Sequence, residues 1–131
     1  MKVKKVMLNI NQFPIVNENT ILKETLEEMD KYGIGIACIV NNKNHLIGII
    51  TDGDFRRKLL KVQKPFSAFY LDYAIDHAII SPVVCYPKDS LIDSIDLMGL
   101  KQVWDLPVID DKKKLVGLLH LHQAISKVLP K

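Results

Sequence analysis

The feature that most constrains this sequence is an internal repeat, in which the second half follows the first at an offset of 69 residues. Gly48 falls on Gly117 and Met29 on Met98, with no insertion needed between residues 20 and 54. Such self-similarity predicts two supersecondary units of one design. We place the first repeat at residues 1–64, a linker at residues 65–80 and the second repeat at residues 81–131.

The first repeat predicts a helix, two strands and a second helix. Thr20 is the expected N-cap of the first helix, whose apolar residues recur at helical spacing, and Gly33 is expected to end it. Two apolar runs, residues 36–40 and 46–50, flank an Asn-rich turn and are typical of paired buried strands. A helix is expected from about Asp52 to Lys61.

The second repeat predicts the same elements. We expect a short strand at residues 83–85, Asp89 as a helix cap, strands at 106–109 and 115–119, and a helix at about 121–128. We assign the order β-α-β-β-α to both repeats, which predicts a mixed α/β (α+β) fold.

Composition excludes several classes of protein. No run of about 18 apolar residues occurs, so we expect neither a membrane span nor a secretory signal. Cys38 and Cys85 each lie in an apolar run, without metal-ligand or redox spacing, which indicates buried thiols in a reducing cytoplasm. A net charge of +3, spread over separate basic clusters, does not favour nucleic-acid binding.

The end of the second strand carries a recognisable motif. The stretch Gly48-Ile49-Ile50-Thr51-Asp52-Gly53-Asp54 resembles the Gly-x-x-Thr/Ser-x-x-Asp signature of the CBS motif. The resemblance covers nearly the whole chain, because both repeats are present. It implies a tandem CBS pair, or Bateman module, packed about a pseudo-twofold axis. Such pairs bind adenosine nucleotides (AMP, ADP or ATP) or related ligands in two clefts, regulate an attached or partner enzyme, and form homodimers.

A narrower resemblance lies within this one. The residues Thr51 to Arg57, with Gly117 to His122 in the second repeat, are similar to the C-terminal CBS pair of arabinose 5-phosphate isomerases. That resemblance implies a sugar-phosphate isomerase as the client, in cis or in trans, and a cytidine-linked (CMP) sugar acid as a further ligand candidate. No isomerase domain fits within these repeats, so we expect no catalytic centre. A regulatory domain of a sugar nucleotidyltransferase and a ligand-free oligomerisation module remain alternatives.

The first signature also has the chemistry of a nucleotide site. A strand ends and a helix begins there, so free backbone N–H groups offer a seat for phosphate. The Asp54 carboxylate can accept hydrogen bonds from ribose, and the Thr51 hydroxyl can donate to phosphate. The predicted ligand-binding residues of this repeat are Gly35, Ile36, Ala37, Thr51, Asp52, Gly53, Asp54, Arg56 and Arg57. In this set, Gly35 to Ala37 offer main-chain groups and small apolar surface to a base, and the arginines offer charge.

A structural interpretation of the same residues stays open. Asp52 and Asp54 could cap the second helix, with Arg56 and Arg57 on its solvated face. A metal site starting at these aspartates lacks further acidic ligands at the required spacing.

The second signature departs from the first. At the offset of 69, His120 replaces Thr51 and Gln123 replaces Asp54, so the ribose-binding carboxylate is lost. His120 and His122 are predicted either to reach a ligand bound by the first repeat, or to be one packed and one solvent-facing residue. We therefore expect one ligand per chain.

Overall fold

The computed structural model describes residues 1–130. These residues fold into two compact units. The first-repeat unit consists of Phe13–Pro82. The second-repeat unit combines Met1–Gln12 with the residues from Val83 onwards. The mixed α/β class predicted from the repeat is confirmed, because both units combine helices with a small sheet.

The first-repeat unit follows the predicted order β-α-β-β-α. Its elements are β1 (Ile15–Asn17), α1 (Leu22–Tyr32), β2 (Ile36–Val40), β3 (Leu46–Thr51) and α2 (Asp52–Lys61). The sheet has the order β1-β2-β3, with β1 parallel and β3 antiparallel to β2. All five residues of the central strand β2 are buried, which explains the continuous apolar run in the sequence.

The ends of α1 agree only in part with the prediction. Gly33 ends the helix in the left-handed conformation with φ of 64°, as expected. The N-cap, however, is Ile21 and makes no side-chain cap, so the assignment to Thr20 is wrong. The Thr20 hydroxyl instead exchanges hydrogen bonds with Asn17, accepting from its amide and donating to its side chain, within the turn that follows β1.

The predicted linker packs onto the first-repeat unit. It contains the short helix α3 (Phe66–Phe69) and a 3-10 turn at Ala74–His77, and the backbone of Ile79 pairs with Ile49 of β3. Phe69 is 1% exposed, so this aromatic side chain anchors the segment in the core. The residues between the two repeats are therefore structured.

His77, in the segment between the two repeats, is largely buried and paired with a carboxylate. Its side chain is 12% exposed, and its Nε2 lies 2.8 Å from an Asp72 carboxylate oxygen. Lys64 reaches the same carboxylate at 2.8 Å. Hydrogen bonds from Lys64 and His77 hold the pKa of Asp72 below its usual value.

The second-repeat unit has the same helices and main strands but a different edge. Its elements are α4 (Leu91–Lys101), β4 (Asp105–Ile109), β5 (Leu115–His120) and α5 (Leu121–Val128). The strand expected at residues 83–85 is reduced to a single bridge between Cys85 and Val108. Ser90, rather than Asp89, caps α4, because its hydroxyl accepts from the Asp93 amide.

The N-terminal residues belong to the second-repeat unit, whereas we had placed them in the first repeat. Leu8 forms a backbone bridge with Leu118 of β5, and the Val3 amide donates to the Asp89 carbonyl. Val3 and Leu8 are buried, so they complete the core of this unit. The apolar stretch after the first lysines is thus a packing segment.

Both cysteines are buried, as expected from the apolar runs around them. Burial raises the pKa of the Cys85 thiol to about 12. Among the described residues, no helix is long and apolar enough to cross a membrane.

Two glycines of the second-repeat unit should respond oppositely to alanine. A Cβ on Gly117 would lie 2.8 Å from the Leu8 carbonyl oxygen, so Gly117→Ala must push backbone apart and should lower the free energy of unfolding by about 1–3 kcal/mol. Gly99, in α4, has nothing within 4 Å, and Gly99→Ala should raise stability by up to about 1 kcal/mol. Urea unfolding of both variants tests the pair, and a neutral Gly117→Ala would contradict the described packing of the N-terminal segment.

Candidate functional site

The antiparallel pairing of β2 with β3 brings the predicted first-repeat site together. Ile36 lies opposite Thr51, and the Asp52 amide donates to the Gly35 carbonyl at 3.0 Å. The approach at Gly35 is close, because a Cβ there would lie 2.5 Å from the Asp52 Oδ2. Two parts of the predicted site that are separate in the sequence, residues 35–36 and residues 51–52, thus meet at one junction.

Thr51 and Asp54 form a capping box at the start of α2. The Asp54 amide donates to the Thr51 Oγ1 at 3.2 Å, and the Thr51 amide donates to the Asp54 Oδ2 at 3.1 Å. The Thr51 hydroxyl also donates to Oδ2, at 2.9 Å. The capping interpretation is therefore correct for Asp54, and the single Thr51 hydroxyl proton, which we had assigned to phosphate, is used within the protein.

The two arginines differ sharply in their surroundings. Arg57 donates from Nη2 to the Asp54 Oδ1 at 2.9 Å, and its guanidinium lies over Gly53. Arg56 is exposed and takes no part in this cluster. The structure therefore joins Thr51, Asp54 and Arg57 into one network and leaves Arg56 outside it.

A groove opens beside this network. It has a volume of about 450 Å³ and is lined by Leu26, Met29, Asp30, Gly33, Ile34, Gly35 and Asp52. This volume lies within the range of small-molecule sites. A larger hollow of about 540 Å³ lies beside β1 and α1, carries three glutamates and contains none of the predicted site residues. We base the site on the smaller groove because it contacts the β3–α2 junction.

The side chains of Ile36 and Ala37 do not line this groove. They are 1% and 0% exposed and belong to the core, so they offer no apolar surface to a base. That part of the prediction is wrong because β2 is the central strand of its sheet and both of its faces are covered. The groove takes its apolar side chains from α1 instead, at Leu26 and Met29.

The equivalent junction in the second-repeat unit has the same backbone and different side chains. Asp105 lies opposite His120 in the β4–β5 pair, and the Leu121 amide donates to the Trp104 carbonyl. His120 stands at the N-cap of α5 but its side chain makes no capping bond. The capping box of the first repeat is thus absent here, as the replacements at 120 and 123 imply.

His120 forms a pair with Asp105 that we did not predict. Its Nδ1 lies 2.7 Å from the Asp105 Oδ1, while His122 is exposed. Burial raises the pKa of the Asp105 carboxyl above its usual value, and the His120 hydrogen bond opposes that rise. The sequence held one signal for this pair, because Asp105 stands where the first repeat has the apolar Ile36.

The described residues contain no cluster of three or more His, Cys, Asp or Glu that could hold a metal ion. The arrangement at the first junction is instead suited to a polar organic ligand. It offers carboxylates and a small apolar wall in the groove, with a guanidinium and the first turn of a helix beside them.

Comparison with known proteins agrees with the repeat. The model of the CBS domain family matches residues 3–61 and 75–129. An uncharacterized protein of Helicobacter pylori is 32% identical over 128 residues, which are 96% of this chain and 37% of that protein. The arabinose 5-phosphate isomerase KdsD of Francisella tularensis is 26% identical over 127 residues, again 96% of this chain and 37% of that protein. The chain thus spans little more than a third of these relatives.

A solved structure shows the same fold. The crystal structure of CBSX2 in complex with AMP superposes with a TM-score of 0.84 at 23% identity, and the match covers 96% of this chain and 94% of that one.

The His120–Asp105 pair predicts a fixed ring tautomer. When the imidazole is neutral, the Asp105 carboxylate should hold the proton on Nδ1 and leave Nε2 without one. Asp105→Ala should remove this preference, and the ring ¹⁵N chemical shifts of His120 at about pH 8 would report the change. The exposed His122 is the control, because its shifts should not move. A His120 ring that keeps its shifts in the variant would contradict the pairing.

Proposed function

Because the chain belongs to the CBS domain family, we propose that it is a regulatory module that binds an adenosine nucleotide at the β3–α2 junction of its first-repeat unit. The observation that carries this proposal is the Asp54 carboxylate, held in a capping box on the first turn of α2, the turn whose first residue, Asp52, lines the groove. Among the described residues, one of its oxygens, Oδ1, is paired with the exposed Arg57 side chain alone, so a ribose hydroxyl that displaces the guanidinium can donate to it.

The chemistry of the groove supports an adenosine ligand in one orientation. Asp30 and Asp52 line the groove and would repel phosphate, but their oxygens can accept hydrogen bonds from an amino group on a base. Leu26 and Met29 supply an apolar wall for its ring. Phosphate is better accommodated beside the Arg57 guanidinium, which lies over Gly53 on the first turn of α2 and offsets the carboxylates there.

The bound AMP of CBSX2 supports this choice of ligand class. Within the class, AMP is our first candidate, and ADP, ATP and a CMP-linked sugar acid are the competitors to be screened with it. Ligand-induced stabilisation is a convenient screen, since a ligand at about 100 times its Kd adds about 2.7 kcal/mol to a one-site protein.

We also propose that the controlled enzyme acts on a sugar phosphate, in cis or in trans. The support is the match to arabinose 5-phosphate isomerase, which extends over 96% of this chain but 37% of that protein. The remaining length of such a relative is where a catalytic domain would lie. In this proposal the chain itself supplies the sensing part and no catalytic residue.

A homodimer is the third part of the proposal. The helices of the second-repeat unit expose apolar side chains: Ile92 is 54%, Leu100 78% and Val128 37% exposed. Exposed apolar surface of this kind favours association. A purely structural oligomerisation module would use the same surface without any ligand, so ligand binding separates the two functions.

Asp54→Ala should weaken AMP binding by roughly ten- to a hundredfold in calorimetry, because hydrogen bonds to a charged acceptor are typically worth about 1.5–3 kcal/mol. Gln123→Ala, at the equivalent position of the second repeat, should change it much less. We expect one AMP per chain. Since Asp54 also caps α2, the variant's thermal unfolding must be followed, and Asp54→Asn serves as a second variant. A stoichiometry of two AMP per chain, or an Asp54→Ala protein that binds AMP like the parent, would show that the proposed location of the site is wrong.

Sedimentation at micromolar concentration should give a dimer, and Leu100→Glu should shift it toward monomer. The side chain is largely exposed, so the substitution should leave the fold intact while placing a charge on the apolar face. Leu71→Glu is the matched control, since Leu71 is 67% exposed but lies outside these helices. A monomeric parent, or equal effects of both variants, would count against this dimer surface.

A further inference from the structure

The oxygen of Asp54 that a ligand would use is already occupied. Oδ2 accepts from both the amide and the hydroxyl of Thr51, so it is committed to the cap. Oδ1 accepts from the Arg57 Nη2 at 2.9 Å. Any ligand hydroxyl that approaches Asp54 therefore meets the guanidinium of Arg57 first.

In the ion pair, the Asp54 side chain is held in place, whereas the Arg57 side chain is free to move. The Asp54 side chain is 10% exposed and held by three hydrogen bonds, whereas the Arg57 side chain is 56% exposed. Long helical side chains point toward the N-terminus of their helix, which brings Arg57 back over the first turn. A Cβ on Gly53 would lie 3.1 Å from the Arg57 Nη1, so the guanidinium covers the Gly53 backbone as well.

This arrangement is specific to the first repeat. At the offset of 69 residues, Asp54 corresponds to Gln123 and Arg57 to Ser126. The Ser126 hydroxyl donates to the Gln123 carbonyl, and serine carries no charge with which to replace the guanidinium. The Asp54–Arg57 pair is therefore not a requirement of the repeated fold.

We propose that Arg57 makes the site selective for phosphorylated ligands, because it closes Asp54 until a ligand phosphate draws it away. This inference rests on the proposed function and names Arg57 as the residue that selects phosphorylated over unphosphorylated ligands. A nucleoside must break the ion pair and offers the arginine nothing in return. The phosphate of a nucleoside monophosphate accepts hydrogen bonds from the guanidinium, whose forked donors suit it, and the ribose hydroxyls donate to the released Asp54 carboxylate.

The test compares AMP and adenosine in calorimetry on the parent, on Arg57→Ala and on Lys61→Ala. Lys61 is exposed near the end of α2, so its variant removes the same charge from the same helix without touching the pair. In Arg57→Ala, AMP should bind about ten- to a hundredfold more weakly, because a charge-assisted contact is lost. Adenosine should bind about two- to fivefold more tightly, because no exposed ion pair has to be broken. Lys61→Ala should behave as the parent with both ligands.

The opposite responses of the two ligands distinguish this inference from simple phosphate binding. If adenosine gains nothing in Arg57→Ala, or if both ligands weaken by the same factor, the closing role of Arg57 is overturned while the nucleotide site stands. If the parent binds neither AMP nor adenosine, the proposed function fails and the inference falls with it. Arg57→Gln, which keeps most of the side-chain length, should repeat the pattern if Arg57→Ala unfolds too readily for titration.

Discussion

The backbone bond between the Asp52 amide and the Gly35 carbonyl is the constraint on which the first junction depends. This bond extends the β2–β3 hydrogen-bond ladder by one residue. Because α2 begins at that residue, the end of β3 fixes where α2 begins. Everything chemical at the site follows from this position. The bond fixes where α2 begins, and the start of α2 in turn sets the positions of the capping box and of the arginine in the helix. The same bond recurs between Leu121 and Trp104, although none of the surrounding chemistry does.

That separation between backbone and side chains explains what the sequence could predict. Both junction helices begin and end where the pattern placed them, at Asp52–Lys61 and Leu121–Val128. Hydrophobic periodicity and the glycine turn at Gly33 are local properties, and local properties can be read without the fold. The exact cap residues were predicted wrongly because they depend on single positions. The observed caps, Ile21 and Ser90, each lie one residue beyond the predicted Thr20 and Asp89, and periodicity does not resolve a shift of one residue.

The contacts that sequence reasoning missed are those that need the register of distant segments. Asp105 and His120 face each other only because β4 and β5 pair in one particular register. His77 turns inward because Asp72 and the ring of Phe69 surround it. At the first junction, the motif was sufficient to find Asp54 and Arg57, but not to show that they bind each other. Residue identity suggests which chemistry is available, whereas geometry decides how much of it is already used.

The two units differ in how early they can fold during translation. The first-repeat unit is one continuous stretch, Phe13–Pro82, and its contacts can form while the rest of the chain is still being translated. The second-repeat unit cannot do this, because Leu8 has to wait for Leu118, more than a hundred residues later. Pairing across such a distance closes a long loop and slows folding. Until Leu118 is available, the apolar side chains of residues 3–8 lack the core into which they pack in the folded unit, so this segment stays exposed after the first-repeat unit has formed.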